Sequence, residues 1–67
     1  KKIDLAIEDF TKAIILDPAY GEAYRNRGIT YKFSGNIQGA CRDWMKANKL
    51  GQDSTSVWIN RHCRPKR

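Results

Sequence analysis

The side chains best suited to chemistry are one histidine, two cysteines and two equally spaced asparagines. His62 is the only histidine, and no serine, aspartate or cysteine stands at a motif spacing that would complete a catalytic triad. Cys41, His62 and Cys63 are the potential metal ligands. Adjacent His62 and Cys63 project from different faces of a helix, and a structural zinc site needs four ligands. We therefore predict no catalytic residue, no metal site and no cofactor.

The two cysteines admit two interpretations. A free cysteine is commonly a small buried residue, and we interpret Cys41 in this way. The alternative is a Cys41–Cys63 disulfide, which would require an oxidising compartment. The first interpretation favours the cytoplasm, the second an exported protein. The chain opens at Lys1 with neither an initiator methionine nor a secretory pattern, so we expect a piece of a longer protein.

Asn26 and Asn60 lie 34 residues apart within the similar stretches YRNR and WINR. An amide side chain carries two donors and an acceptor, so it can pair with the N–H and C=O of an extended peptide of any sequence. The alternative for Asn26 is a hydrogen bond to a neighbouring helix or to water.

Charge is unevenly distributed along the chain. The net charge is +6; residues 1–20 carry three lysines against four acids, and residues 21–67 carry ten lysines and arginines against three acids. The second part of the chain therefore favours an acidic partner or nucleic acid. Arg25 and Lys32 would select acidic groups, beside Ile29 and Phe33 for apolar contact; an ordinary solvated helix face is the alternative.

The elements that position these residues follow from an internal repeat of 34 residues. Shifted by that distance, residues 3–10 (IDLAIEDF) lie over residues 37–44 (IQGACRDW), and residues 24–27 lie over residues 58–61. The register holds without a gap, and apolar residues recur at three- and four-residue steps typical of amphipathic helices.

Helix ends can be placed from the residues that stop helices. The residue before Pro18 disfavours the helical conformation, Gly35 can adopt the left-handed closing conformation, and Asp53 or Ser54 would cap the last helix. Four helices are predicted: one ending at Asp17, then residues 22–33, 37–50 and 55–63. Gly28, Ala40 and Ala47 would let two of them cross closely, with the remaining volume filled by Tyr24, Tyr31 and Trp44.

This pattern resembles the tetratricopeptide repeat. The family's aromatic, glycine and aromatic on a first helix, turn glycine, and alanine, aromatic and alanine on a second helix correspond to Tyr24, Gly28, Tyr31, Gly35, Ala40, Trp44 and Ala47. The resemblance implies an all-α fold of antiparallel helix-turn-helix repeats, stacked as a short right-handed α-solenoid of about four helices. It divides the chain into a second helix of a partial repeat (1–18), a complete repeat (21–52), a capping helix (53–64) and a basic tail (65–67).

Three positions depart from the family pattern. Arg27 stands where the family prefers leucine, and Gly51-Gln52 stands where Asp-Pro usually ends a repeat. His62 occupies the position of the helix glycine, so the last helix is interpreted as a degenerate cap.

The resemblance also implies a function. First helices of such repeats line a concave groove, and some relatives grip a peptide backbone there with asparagines. We expect a non-catalytic protein-interaction scaffold that docks a peptide or protein segment, possessing an acidic character if Arg25 and Lys32 select it. The candidate partner-binding residues are Glu22, Arg25, Asn26, Ile29, Lys32, Phe33 and Asn60. Only Asn26 matches the family's clamp for acidic chaperone tails, so that clamp is not predicted.

Two other functions fit the sequence. Nucleic acid could be bound by basic residues, with Tyr24 or Phe33 available for stacking; the basic residues are Arg25, Arg27, Lys32, Arg42, Arg61, Arg64, Lys66 and Arg67. Self-association through the first helix could cover Ile7, Phe10 and Ile14. No run of apolar residues approaches the ~20 needed to cross a bilayer.

Overall fold

The computed structural model describes residues 2–64. This part of the chain contains no strand and four α-helices: α1 (Lys2–Leu16), α2 (Gly21–Phe33), α3 (Ile37–Lys49) and α4 (Thr55–His62). The helices pack in chain order, each on the next, as expected for a helical repeat. The predicted all-α fold of about four helices is confirmed. The predicted basic tail (65–67) lies outside the described residues.

The turn between α2 and α3 is closed by residues whose types dictate its shape. Gly35 has a φ of +89°, which glycine adopts without a steric penalty. The side chain of Asn36 then accepts a hydrogen bond of 2.9 Å from the backbone N–H of Gly39 and caps α3. Gly51, with a φ of +99°, ends the α3 region in the same way.

The start of α4 differs from the prediction. Ser54 makes no side-chain capping bond, and Asp53 offers only its backbone carbonyl, which accepts a hydrogen bond of 2.9 Å from the hydroxyl of Ser56. The hydroxyl of Thr55 donates in turn to the carbonyl of Gln52 at 2.7 Å. The predicted cap by Asp53 or Ser54 is therefore wrong, because hydroxyls of the first helical turn bond backward to the preceding turn instead.

The α2/α3 contact forms the core. Ala40 and Ala47 are fully buried, and Trp44 is 1% exposed. A Cβ added to Gly28 would lie 2.6 Å from the indole of Trp44, so no larger residue fits in this position without movement. The cost of a glycine inside a helix, about 1 kcal/mol, is offset by the close crossing that it permits.

The two end helices are held differently. No residue of α1 is buried, and its apolar stripe of Ile7, Phe10 and Ile14 is half-buried against α2. α4 is joined covalently to α3 by a Cys41–Cys63 disulfide, with the two Cα atoms 5.7 Å apart. The interpretation of Cys41 as a free core residue is therefore wrong, although the residue is buried. Within residues 2–64, no helix has the length and apolar character needed to cross a membrane.

Candidate functional site

The predicted binding residues of α2 fall into two groups. At the start of the helix, Arg25 Nη2 lies 3.7 Å from Glu22 Oε2, one helical turn away. Both side chains are substantially exposed, so the pair contributes at most about 1 kcal/mol. Nearer the end of the helix, Ile29, Lys32 and Phe33 lie together at the wall of a cavity.

Asn26 stands between these groups on the same helix face, three residues before Ile29 and seven before Phe33. Its backbone carbonyl accepts a hydrogen bond of 3.0 Å from Thr30 Oγ1. Its side-chain amide has no hydrogen-bond partner among residues 2–64, so the amide is not used to tie α2 to a neighbouring helix. Its donors and acceptor remain free to bind water or a ligand.

The cavity beside α2 has a volume of about 210 Å³ and is predominantly apolar. Three helices contribute to it, and we call it the α2/α4 pocket; its lining residues are Ile29, Lys32, Phe33, Trp44, Trp58 and His62. The structure thus brings three predicted site residues together with three that were not predicted as such. Asn60 is exposed and does not line the pocket, because two residues along a helix separate it from both Trp58 and His62.

Aromatic packing positions the α4 side of the pocket. The ring centroid of Trp44 lies 5.4 Å from that of Trp58 and 5.9 Å from that of His62, both in tilted arrangements. Cys63, directly after His62, is bonded to α3. The repeat contained a signal for His62: it stands 34 residues after Gly28, where a full side chain replaces the hydrogen that α3 requires there.

Arg27 serves the interior instead of the binding face. Its Nε and Nη2 atoms donate to the two carboxylate oxygens of Asp43 at 2.7 and 2.8 Å, and its Nη1 donates to Thr11 Oγ1 at 3.2 Å. Its guanidinium lies 5.8 Å from the ring centroids of both Tyr24 and Tyr31. One side chain therefore links α1, α2 and α3.

This arrangement explains the departure from leucine at Arg27. The hydrogen bonds to Asp43 raise the pKa of Arg27 above its ordinary value, despite the opposing effect of burial. A fork-shaped pair of this kind satisfies a carboxylate that is only 6% exposed. The expectation that Arg27 binds phosphate and Tyr24 stacks on a base is wrong, because both are engaged within the fold.

Among residues 2–64, no three His, Cys, Asp or Glu side chains are grouped so as to hold a metal ion. Two buried side-chain nitrogens lack a hydrogen-bond partner in this part of the chain, Arg25 Nε and Trp44 Nε1. The indole nitrogen of Trp44 lies against Gly28, so its isolation follows from the close helix crossing.

Comparison with known proteins gives one informative similarity. The chain is 38% identical over 59 residues to a DnaJ homolog subfamily C member 7 homolog from Dictyostelium discoideum. The match includes 88% of this chain but only 11% of that protein, so the chain spans about a tenth of the length of its relative. No family model matches the sequence, and no solved structure matches it.

Proposed function

We propose that the chain is a tetratricopeptide-type helical module that docks an extended peptide segment of a protein partner and performs no catalysis. The observation that carries the proposal is the α2 face, on which the free amide of Asn26 precedes a preformed apolar pocket by one helical turn. A docking site needs both a sequence-independent grip and an apolar contact, and this face offers them side by side.

The 34-residue repeat and the similarity to a segment of a DnaJ homologue support a protein-interaction role, with a chaperone as one class of partner. In this proposal residues 1–18 are the second helix of a partial repeat, residues 21–52 a complete repeat, and residues 53–64 a cap. Arg25 and Lys32 supply positive charge toward an acidic partner.

In the docked state, the amide of Asn26 donates to a peptide carbonyl and accepts from a peptide N–H. Asn60, which is exposed on α4, offers a second contact of the same kind outside the pocket. These two bonds fix the path of the peptide but do not select its sequence. Selection is left to the side chains around them.

The experiment is a fluorescence-polarisation screen of unstructured peptides, acidic and neutral, against the wild type and the variants Asn26→Ala, Asn60→Ala and the double variant. Asn48→Ala is the matched control, because this asparagine is half-buried on α3 and makes no side-chain hydrogen bond within residues 2–64. We expect the double variant to lose more than tenfold in affinity and Asn48→Ala to lose none. Equal binding by all variants would place the site elsewhere.

Single-stranded nucleic acid belongs in the same screen as a competitor. The engagement of Arg27 and Tyr24 within the fold removes two of the residues on which such binding would depend. Binding of nucleic acid with a steep salt dependence, and no binding of peptides, would replace the proposed function.

A further inference from the structure

We propose that the α2/α4 pocket is the specificity subsite of the docking face, and that it takes one large apolar side chain whose neighbour in the peptide is acidic. This inference rests on the proposed function and names the partner sequence that the asparagines alone would not select. The occupant to which we commit is therefore a peptide with a single leucine, phenylalanine or tryptophan followed by glutamate or aspartate.

The size of the pocket favours one side chain over a free small molecule. Its volume of about 210 Å³ lies below the ~300–1,000 Å³ that is usual for small-molecule and cofactor sites. Its walls are Ile29 and the rings of Phe33, Trp44, Trp58 and His62. Aromatic walls of this kind give close contact to an inserted aliphatic or aromatic group.

Phe33 is the clearest sign that the pocket is incomplete in isolation. Its side chain is 74% exposed although it lines an apolar cavity. An exposed aromatic residue at the edge of a pocket contributes little to folding, but it loses contact with water when a side chain enters beside it.

Charge determines which residue stands next to the anchor. Lys32 Nζ lies 6.0 Å from the ring centroid of Phe33, which places the cation at the rim of the pocket. No Asp or Glu among residues 2–64 lies within ion-pairing distance of Lys32, and the nearby Glu22 is paired with Arg25. A carboxylate from the partner would complement this charge.

The two tryptophans of the chain both line the pocket, so intrinsic fluorescence reports on its occupant. The probe is a twelve-residue unstructured peptide with one leucine followed by glutamate. Two companions replace leucine by alanine or glutamate by glutamine. Each is titrated against the protein with the disulfide intact and at fixed salt, by polarisation and by tryptophan emission.

We expect the leucine peptide to bind about tenfold more tightly than its alanine companion, as one buried apolar side chain would give, and to shift the tryptophan emission. Phe33→Ala should remove most of that preference without unfolding the chain. Lys32→Gln should lower the preference for glutamate over glutamine about threefold. Val57→Ala is the matched control, because Val57 is 57% exposed on α4 and does not line the pocket.

Equal affinities for the leucine and alanine peptides would overturn the inference, even if loss of Asn26 and Asn60 abolished binding and so upheld the proposed function. The reverse pattern would uphold the pocket and refute the asparagine grip: a leucine preference that is lost in Phe33→Ala but unaffected by the asparagine variants. An emission shift that follows protein concentration without peptide would show that a second copy fills the pocket, which also overturns the inference.

Discussion

α1 and α3 occupy the same place in successive repeats but differ sharply in burial. Both start from similar sequence, with isoleucine at Ile3 and Ile37 and an aromatic residue at Phe10 and Trp44. Six residues of α3 are buried, whereas none is buried in α1. α3 packs against both α2 and α4, while α1 packs against α2 alone. A helical pattern thus defines an apolar face, but the number of neighbouring helices determines what that face contributes to stability.

The largest difference between the two helices should appear at their aromatic residues. Trp44→Ala should cost about 3–5 kcal/mol, because it empties the space that Gly28 leaves, and a chain of this size has little more to lose. Phe10→Ala, at the equivalent half-buried position, should cost about 1–2 kcal/mol. Urea unfolding followed by circular dichroism measures both. If Trp44→Ala is unfolded, Trp44→Phe supplies the comparison; equal losses for Phe10→Ala and Trp44→Phe would contradict the ranking.

The second difference concerns the covalent link that α1 lacks. Cys41 corresponds to Ile7 in the repeat, and its bond to Cys63 closes a loop across 22 positions of sequence. Replacing both cysteines by alanine should lower the free energy of unfolding by about 3 kcal/mol. Ile7→Ala should lower it by about 1 kcal/mol. Unfolding the wild type with and without a dithiol reductant checks the first value independently; no change on reduction would show that α4 is held by packing alone.

A third test exchanges equivalent aspartates. Asp43→Asn breaks the fork to Arg27 and should cost about 2 kcal/mol, since the carboxylate is 6% exposed and the guanidinium 18%. Asp9→Asn, 34 residues earlier and exposed, should stay within about 0.5 kcal/mol. A thermal shift of similar size in both variants would show that the fork contributes nothing beyond a surface charge.

The pKa of Arg27 adds a condition to this test. Because that pKa is raised in the folded chain, its contribution is fully present below the ordinary value of about 12.5 and is lost only as pH rises through the higher folded value. The contribution of the guanidinium itself should therefore not vary between about pH 6 and pH 9. Repeating the unfolding of wild type and Arg27→Met at both ends of this range measures it.

The smallest difference should appear at the ends of the two helices. Leu16 is 86% exposed, whereas its equivalent Leu50 is half-buried beside Gly21. Leu16→Lys should leave stability unchanged within about 0.5 kcal/mol, and Leu50→Lys should cost about 1 kcal/mol. Thermal midpoints of the two variants are sufficient to compare them. A larger loss for Leu16→Lys would mean that α1 has a neighbour in solution.

Much of the fold could be predicted because local rules and the repeat agree. Pro18 and Gly35 mark helix ends through backbone sterics, and the 34-residue spacing identifies Gly28 as the point of close crossing. The bond between Cys41 and Cys63 was weighed but not favoured, because spacing alone shows neither the distance between helices nor their redox state.

The site was harder to predict than the fold. The sequence placed Ile29, Lys32 and Phe33 on one face, and the structure joins them in one pocket. It could not show that Trp58 and His62 complete that pocket, because they belong to a helix whose position depends on a long-range bond. The role of Arg27 escaped for a related reason: a long flexible side chain can reach water or a partner on another helix, and only the packed structure decides between them.

The disulfide also governs how the chain would respond to mechanical tension. A pull on the two termini would pass from Cys41 directly to Cys63, and the 22 positions between them, which could extend to about 75 Å, would bear no load. Trp44, Trp58 and His62 all lie inside this loop. Half of the residues that line the α2/α4 pocket are thereby shielded from stretching, so a machine that threads the chain from either end would have to reduce the bond before it could draw them out.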